Sequence, residues 1–253
     1  MLTRTVQAAA LQALKKLAGH RPITLPILHG SLRGYKWQFD ASTNNEIILG
    51  MWEHNMQLIY RDFLRDGAVV FDLGAHQGFL ALLASKLVGH RGTVHAFEAS
   101  PINFKKLERN IQLNRIHNCR LVHAAVSDRD GCRAFSASIH DMGNTYLPSS
   151  PYFVNQPTVI VPTVSLDEYV SRESVDLPDF LKVDVEGAES DALIGAKALL
   201  ASKRPIVYLE THNIHHRGVD GLCLRYLGEL GYKIIRVVDQ TPDNSMASYL
   251  LST

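Results

Sequence analysis

From Ala68 onward, short apolar runs alternate with stretches whose apolar positions recur at helical spacing. "AVVFDL" is a β-branched run, and "GFLALLASKLVG" behind it fits a helix that stops at Gly89. "TVHAFE" predicts the next strand and "SPINFKKLERNIQLN" the next helix, with Ser100 as N-cap and Pro101 at the first helical position. "CRLVHAAV" reads as a strand. "DFLKVDV", the helical "AESDALIGAKALLA" and the strand "PIVYLE" continue the rhythm. "GVDGLCLRYLGELG" predicts a helix closing at Gly231, and "YKIIRVV" and "SMASYLL" finish with strands. Apolar strands alternating with helices predict an α/β fold whose largely parallel sheet is covered on both faces.

Upstream the pattern differs. "MLTRTVQAAALQALKKLAGH" predicts an amphipathic helix, too short and too polar to span a membrane and without a signal-peptide cleavage pattern. "ITLPILHGSLRGYKWQFD" reads as a small hairpin, and residues from Met51 to Leu64 show helical spacing of Trp52, Met56, Ile59, Tyr60 and Phe63. The expected division is therefore an N-terminal helix-and-hairpin extension over residues 1–50 and a main domain over residues 51–253.

Composition changes this picture little. Hydrophobic residues make up 46% of the 253 positions and charged residues 20%, an ordinary globular balance. With 26 basic against 25 acidic residues the formal net charge is +1, which argues against a nucleic-acid partner. Cys119, Cys132 and Cys223 form no CxxC pair, so neither a disulfide framework nor a zinc site is expected, and the usage fits a reducing cytoplasm.

Ligands of such sheets bind beyond the carboxyl ends of the strands. The residues to weigh there are Asp72, Glu98, Val126, Asp184 and Glu210. After Asp72 the turn reads Gly74-Ala75-His76-Gln77-Gly78, without the middle glycine that dinucleotide enzymes favour for their pyrophosphate. A carboxylate two residues before the turn suits a cationic ligand such as S-adenosylmethionine better than a pyrophosphate. Glu98, some 20 residues on, is placed to accept from ribose hydroxyls, which either cofactor carries.

The stretches "VVFDLGAHQG", "VHAFEASPINFKKLERNIQLN", "HAAVSDRDG", "VSLDEYV" and "FLKVDVEGAESDALIGA" together resemble the FkbM-type family of S-adenosylmethionine-dependent methyltransferases, over about Trp52 to Val238. The resemblance implies a Rossmann-like, seven-stranded, mostly parallel sheet with an antiparallel last strand from "SMASYLL". It also implies O-methylation of a sugar, natural-product or lipid-linked acceptor. Carried over by position, Asp72, Gly74, Ala75 and Gly78 would line the methionine end. Glu98 would hold the ribose beside Ala99 and Ser100, and Val126 and Ser127 would flank the adenine.

Methyl transfer to oxygen needs a general base or a metal that acidifies the hydroxyl. Asp184 leads as that residue, with Glu210 and His212 beside it. The three would converge on one substrate hydroxyl or on one divalent ion such as magnesium, although their spacing is not a metal signature. Glu186 is either a substrate contact or a solvated loop residue, Glu189 a first-turn helix charge, and Lys182 either an electrostatic group or a strand-end ion pair. The insertion from Ser127 to Pro162, with Asn144 and Tyr146, has the composition of a lid or substrate wall or of plain turns. Competing functions are a nicotinamide-dependent oxidoreductase and a cofactor-binding module without catalysis.

Overall fold

A computed structural model describes residues 4–18, 21–136, 145–148, 150 and 156–253. The N-terminal helix is α1 (Arg4–Ala18). Its Leu11 is buried, Gln7 bonds His29 at 3.0 Å, and Lys15 donates to the Thr43 carbonyl while lying over the Phe39 ring. The amphipathic face thus packs on its own chain.

Strands β1 (Ile23–Pro26) and β2 (Lys36–Phe39) pair antiparallel as the expected hairpin. Two helices follow, α2 (Asn45–Ile48), capped by the Asn44 side chain, and α3 (His54–Phe63). The alternating part then runs β3 (Val69–Leu73), α4 (Phe79–Val88), β4 (Thr93–Phe97) and α5 (Pro101–Leu113). The N-cap expected at Ser100 is formed: its hydroxyl accepts from the Asn103 N–H at 3.3 Å.

"CRLVHAAV" does not form one strand. β5 (Cys119–Val122) ends where the Ala124 N–H turns back to the Val122 carbonyl, and β6 (Ala125–Val126) leaves the main sheet. With β7 (Gly131–Ser136) and β8 (Thr158–Val164) it builds a separate three-stranded sheet from the insertion. The chain continues through α6 (Leu166–Glu173), capped by Ser165, and β9 (Phe180–Val183). The helix expected in "AESDALIGAKALLA" breaks into α7 (Glu189–Ile194) and α8 (Lys197–Ser202). Gly195 lies at the break, where a β-carbon would lie 2.0 Å from the Ser127 carbonyl oxygen. Strand β10 (Ile206–His212), α9 (Val219–Glu229), β11 (Lys233–Gln240) and β12 (Met246–Ser252) complete the chain.

The main sheet has seven strands in the order β11-β12-β10-β9-β3-β4-β5, and β12 runs antiparallel to both its neighbours while the other pairings are parallel. That is the α/β, seven-stranded architecture expected. Alternation along each strand splits the core in two. Val70, Val94, Ala96 and Phe180 face Trp37, Phe39, Tyr60 and Leu82 on one side. Phe71, Phe97, Leu181 and Val207 face Leu166, Leu199, Cys223 and Leu227 on the other. The hairpin's aromatic side chains therefore belong to the first of these cores.

The polar edge of β2 is docked by helix α5. Asn114 accepts from the Lys36 N–H and donates to the Lys36 carbonyl, both at 2.7 Å, much as a neighbouring strand would. One turn earlier Asn110 accepts from the Gln38 N–H at 2.8 Å and donates to the Gln77 carbonyl at 2.9 Å. Spacings of i, i+4 on a helix and i, i+2 on a strand both come to about 6–7 Å, so the two ladders match. Asn110 is buried and bridges hairpin to glycine turn. Asn110→Ala should lower the unfolding free energy in urea by about 2–4 kcal/mol, since it orphans buried partners on both segments. A loss below about 0.5 kcal/mol would show that the bridge carries no weight.

Candidate active site

A cavity of about 400 Å³ opens at the carboxyl ends of the parallel strands. Its floor is the turn after β3. Gly74 has φ +76°, and a β-carbon there would lie 1.8 Å from the Asp184 carbonyl oxygen, so only glycine fits between β3 and β9. The N–H groups of Gly74 and Ala75 both donate to the Phe97 carbonyl, at 3.0 and 2.9 Å, tying the turn to β4 as well. Gly74 and Ala75 line the cavity. Gly78 sits behind it, where a β-carbon would be 2.6 Å from Leu107 Cδ1, and serves the approach of α4 to α5.

Glu98, at the end of β4, lines the cavity with Ala99. One carboxylate oxygen accepts from the Ser100 N–H and the other from the His76 N–H, each at 2.8 Å. Burial pushes its pKa up to about 7, against the two hydrogen bonds that favour the charged form. Both oxygens are thus aimed from behind and keep acceptor capacity toward the cavity. Ser100 is the cap behind Glu98 and does not reach the cavity. Ala124, Ala125 and Val126 line it, but Val126 belongs to β6 and not to the end of the third sheet strand. Ser127 is buried outside the lining, where its hydroxyl accepts from the Tyr146 hydroxyl at 3.2 Å.

Asp72 does not face the cavity. Its side chain has no exposed surface and stands 3.2 Å from the Lys182 ammonium, its cross-strand neighbour. Lys182 also reaches Asp184 at 3.1 Å and donates to the Leu73 and Gly74 carbonyls at 3.3 and 2.9 Å. Burial opposes the ammonium, but Asp184 and Asp72 outweigh it and hold its pKa well above the ordinary lysine value. The negative charge expected at the strand end is therefore cancelled by a buried lysine.

Asp184, Glu210 and His212 do converge. One ligating atom from each lies within 4.8 Å of the others. His212 Nε2 stands 3.8 Å from Asp184 Oδ1 and 3.7 Å from both Glu210 Oε1 and Glu186 Oε2. On its other side, Nδ1 donates to Glu189 Oε1 at 2.9 Å. Burial disfavours the imidazolium, yet the Glu189 hydrogen bond and the surrounding carboxylates push its pKa up to about 10. Glu210 is raised to about 8 by burial and by Asp184. Glu186, with φ +54°, accepts from or pairs with His215 Nε2 at 2.9 Å, and His215 Nδ1 meets the Ser150 hydroxyl at 2.7 Å.

Several lining residues carry no sequence signal for a site. Trp37 and Ile47 come from the extension, and Thr241, Ser245 and Met246 from the β11–β12 turn. Trp52 and Glu53 also line the cavity, with Glu53 in the left-handed region at φ 53° and the Gln57 amide clamping the Gly50 and Trp52 carbonyls. Glu189 reads as a helix-terminal charge, but it is fully buried and oriented by the Gly187 N–H at 2.8 Å. From the insertion, Phe135 and Tyr146 reach the cavity, while Asn144 lies outside the described residues. Among the described residues no helix is long and apolar enough to cross a membrane.

The methyltransferase FkbM domain matches residues 72–234. The chain is 26% identical over 209 residues to the 31-O-demethyl-FK506 methyltransferase FkbM of Streptomyces tacrolimicus, covering 70% of this chain and 76% of that protein. Among solved structures, a methyltransferase FkbM from Methylobacillus flagellatus KT superposes with a TM-score of 0.51 at 18% identity, over 83% of this chain but only 52% of that one. Precorrin-6y C5,15-methyltransferase from Geobacter metallireducens GS-15 does so with a TM-score of 0.50 at 15% identity, over 83% and 92% of the two chains. These structures share the seven-stranded methyltransferase fold. With the family domain matched from the Asp72 strand end to the β11 strand, the chain belongs to the FkbM family of methyltransferases.

Proposed function

We propose that the chain transfers the methyl group of S-adenosylmethionine to a hydroxyl oxygen of a small or glycan-like acceptor. The observation that carries this reading is the cavity itself. Glu98 stands at one end, preset by two N–H donors, and the Asp184 cluster stands at the other across the Gly74 turn. The name of the Streptomyces tacrolimicus relative, a 31-O-demethyl-FK506 methyltransferase, supports oxygen as the accepting atom.

In this reading Glu98 accepts from the ribose hydroxyls, and Ala124, Ala125 and Val126 flank the adenine. Gly74 and Ala75 let the methionine part pass close to the backbone. Gly78, Ser100 and Ser127 support the walls from behind, and Asp72 acts through Lys182. The acceptor oxygen attacks the methyl carbon in line as the carbon–sulfur bond breaks, leaving a neutral thioether. The hydroxyl proton leaves to Asp184; a divalent cation, which Asp184, Glu210 and His212 would hold, would supply acidification of the hydroxyl. His212, held protonated when no cation is present, is a weaker candidate for the base than Asp184.

Two measurements test the assignment. Glu98→Ala should weaken S-adenosylmethionine by about 1.5–3 kcal/mol in calorimetric titration, with NADH showing no binding to either protein. The raised Glu98 pKa adds a sign. Ribose hydroxyls donate to the ionised carboxylate, so affinity should rise about tenfold between about pH 6 and pH 8 as the group near 7 loses its proton. Glu98→Gln should flatten that rise. Unchanged affinity in the Ala variant would put the cofactor elsewhere. Separately, Asp184→Asn should bind cofactor nearly as well as the wild type but transfer methyl groups about 10²–10⁴ more slowly to an accepted hydroxyl. Retained turnover would leave Asp184 a structural strand-end residue.

A further inference from the structure

We propose that Asp184, Glu210 and His212 form a divalent-cation site of the magnesium or manganese class at the acceptor end of the cavity. The proposal rests on the methyl-transfer reading for its chemical purpose, though not for its binding test.

The three ligating atoms lie within 4.8 Å of one another. Oxygen ligands on opposite sides of a magnesium ion stand about 4.2 Å apart, so sub-ångström side-chain shifts close the shell. Strand geometry supplies the convergence. Glu210 and His212 are two residues apart on β10 and share a face, and Asp184 follows β9, the parallel neighbour.

The second and independent observation is how each side chain is held. Asp184 gives Oδ2 to Lys182 at 3.1 Å. Glu210 takes the Tyr208 hydroxyl on Oε2 at 2.7 Å. His212 gives its Nδ1 proton to the fully buried Glu189 at 2.9 Å. In every case one atom is anchored from outside and the other, Asp184 Oδ1, Glu210 Oε1 or His212 Nε2, faces the common centre. A carboxylate that accepts from one imidazole nitrogen fixes the tautomer so that the other can ligate, as outer partners do around metals.

His212 is the telling member. Its side chain is nine-tenths buried, yet Nε2 keeps 3.7–3.8 Å from Asp184, Glu210 and Glu186 alike, outside hydrogen-bonding distance. Glu189 pairs with the ring on its Nδ1 side. Nε2, on the other side, is left nearly equidistant from three carboxylates and settled against none. Two carboxylates with a single imidazole suit a hard cation, and no thiolate is present to favour a softer one. A coordinated acceptor hydroxyl would lose its proton to water more readily, and its oxygen would then take the methyl group from sulfur.

The test uses the full chain freed of metal by a chelator. Manganese is titrated and followed by the loss of the free-ion paramagnetic resonance signal, while S-adenosylhomocysteine binding is measured in parallel. One manganese per chain is expected, displaceable by magnesium, and weakened at least tenfold in Glu210→Gln and in His212→Ala. Glu189→Gln, which touches no ion, should weaken it about 10–100-fold by loosening the imidazole. Retained S-adenosylhomocysteine binding certifies that each variant is folded. A wild-type chain that binds S-adenosylhomocysteine but no manganese overturns the cation site and leaves the methyl-transfer reading standing, as does manganese binding that survives in both ligand variants. A chain that binds manganese but no S-adenosylhomocysteine sinks the methyl-transfer reading and leaves the cation site standing.

Discussion

The buried ammonium of Lys182 is the interaction on which the site depends. It lies in register between Asp72 on β3 and Tyr208 on β10, with 3% of its side chain exposed. A lone charge there would be intolerable, and so would a lone Asp72 carboxylate. Together, and with Asp184 and two turn carbonyls as further acceptors, they are compensated. Removing one member of such a pair typically costs about 3–5 kcal/mol because the other is left uncompensated. The same ammonium clamps the Gly74 turn against the end of β9, which is why Gly74 can approach the Asp184 carbonyl so closely. Turn and candidate active site are thus tied into one unit.

How much of this is legible in the sequence follows from which interactions are local. Strand and helix alternation is a local pattern, and the seven-stranded sheet with its reversed β12 matches the expectation. The Ser100 cap is local too. What escapes is non-local. Asp72 and Lys182 are 110 positions apart, and only sheet register turns a lone strand-end carboxylate into half of an ion pair. Glu189 looks like a charge placed for the helix dipole, because its imidazole partner lies 23 positions away. Val126 seems to close a sheet strand until the short turn at Ala124 diverts it to β8. Convergence of Asp184, Glu210 and His212 was open to sequence reading, since all three sit at the ends of adjacent strands. Their outer partners were not.

The walls of the cavity divide by origin. Glu98, Asp184, Glu210 and His212 fall within the matched family domain at residues 72–234. Trp37, Ile47, Trp52 and Glu53 precede it, and Thr241, Ser245 and Met246 follow it. The precursor segment is no loose appendage, because Asn110 and Asn114 stitch its hairpin to α5 and its aromatic side chains fill the first core. The candidate reacting groups therefore lie inside the matched family domain, and the cavity is closed by segments on both sides of it.

The charge of the cavity bears on the proposed cofactor by a route different from the glycine turn. Asp72 is neutralised, so it attracts nothing. The carboxylates that face the cavity are instead Asp184, beside Lys182 and His212, Glu186, beside His212 and His215, and Glu210, beside His212. A pyrophosphate brought here would meet carboxylates in a region of low effective dielectric, where like charges at 4 Å repel by about 4 kcal/mol. A sulfonium and an ammonium would meet the opposite sign. The same field would draw a divalent ion, so the proposed cationic methyl donor and the proposed cation site at the acceptor end would share one electrostatic origin.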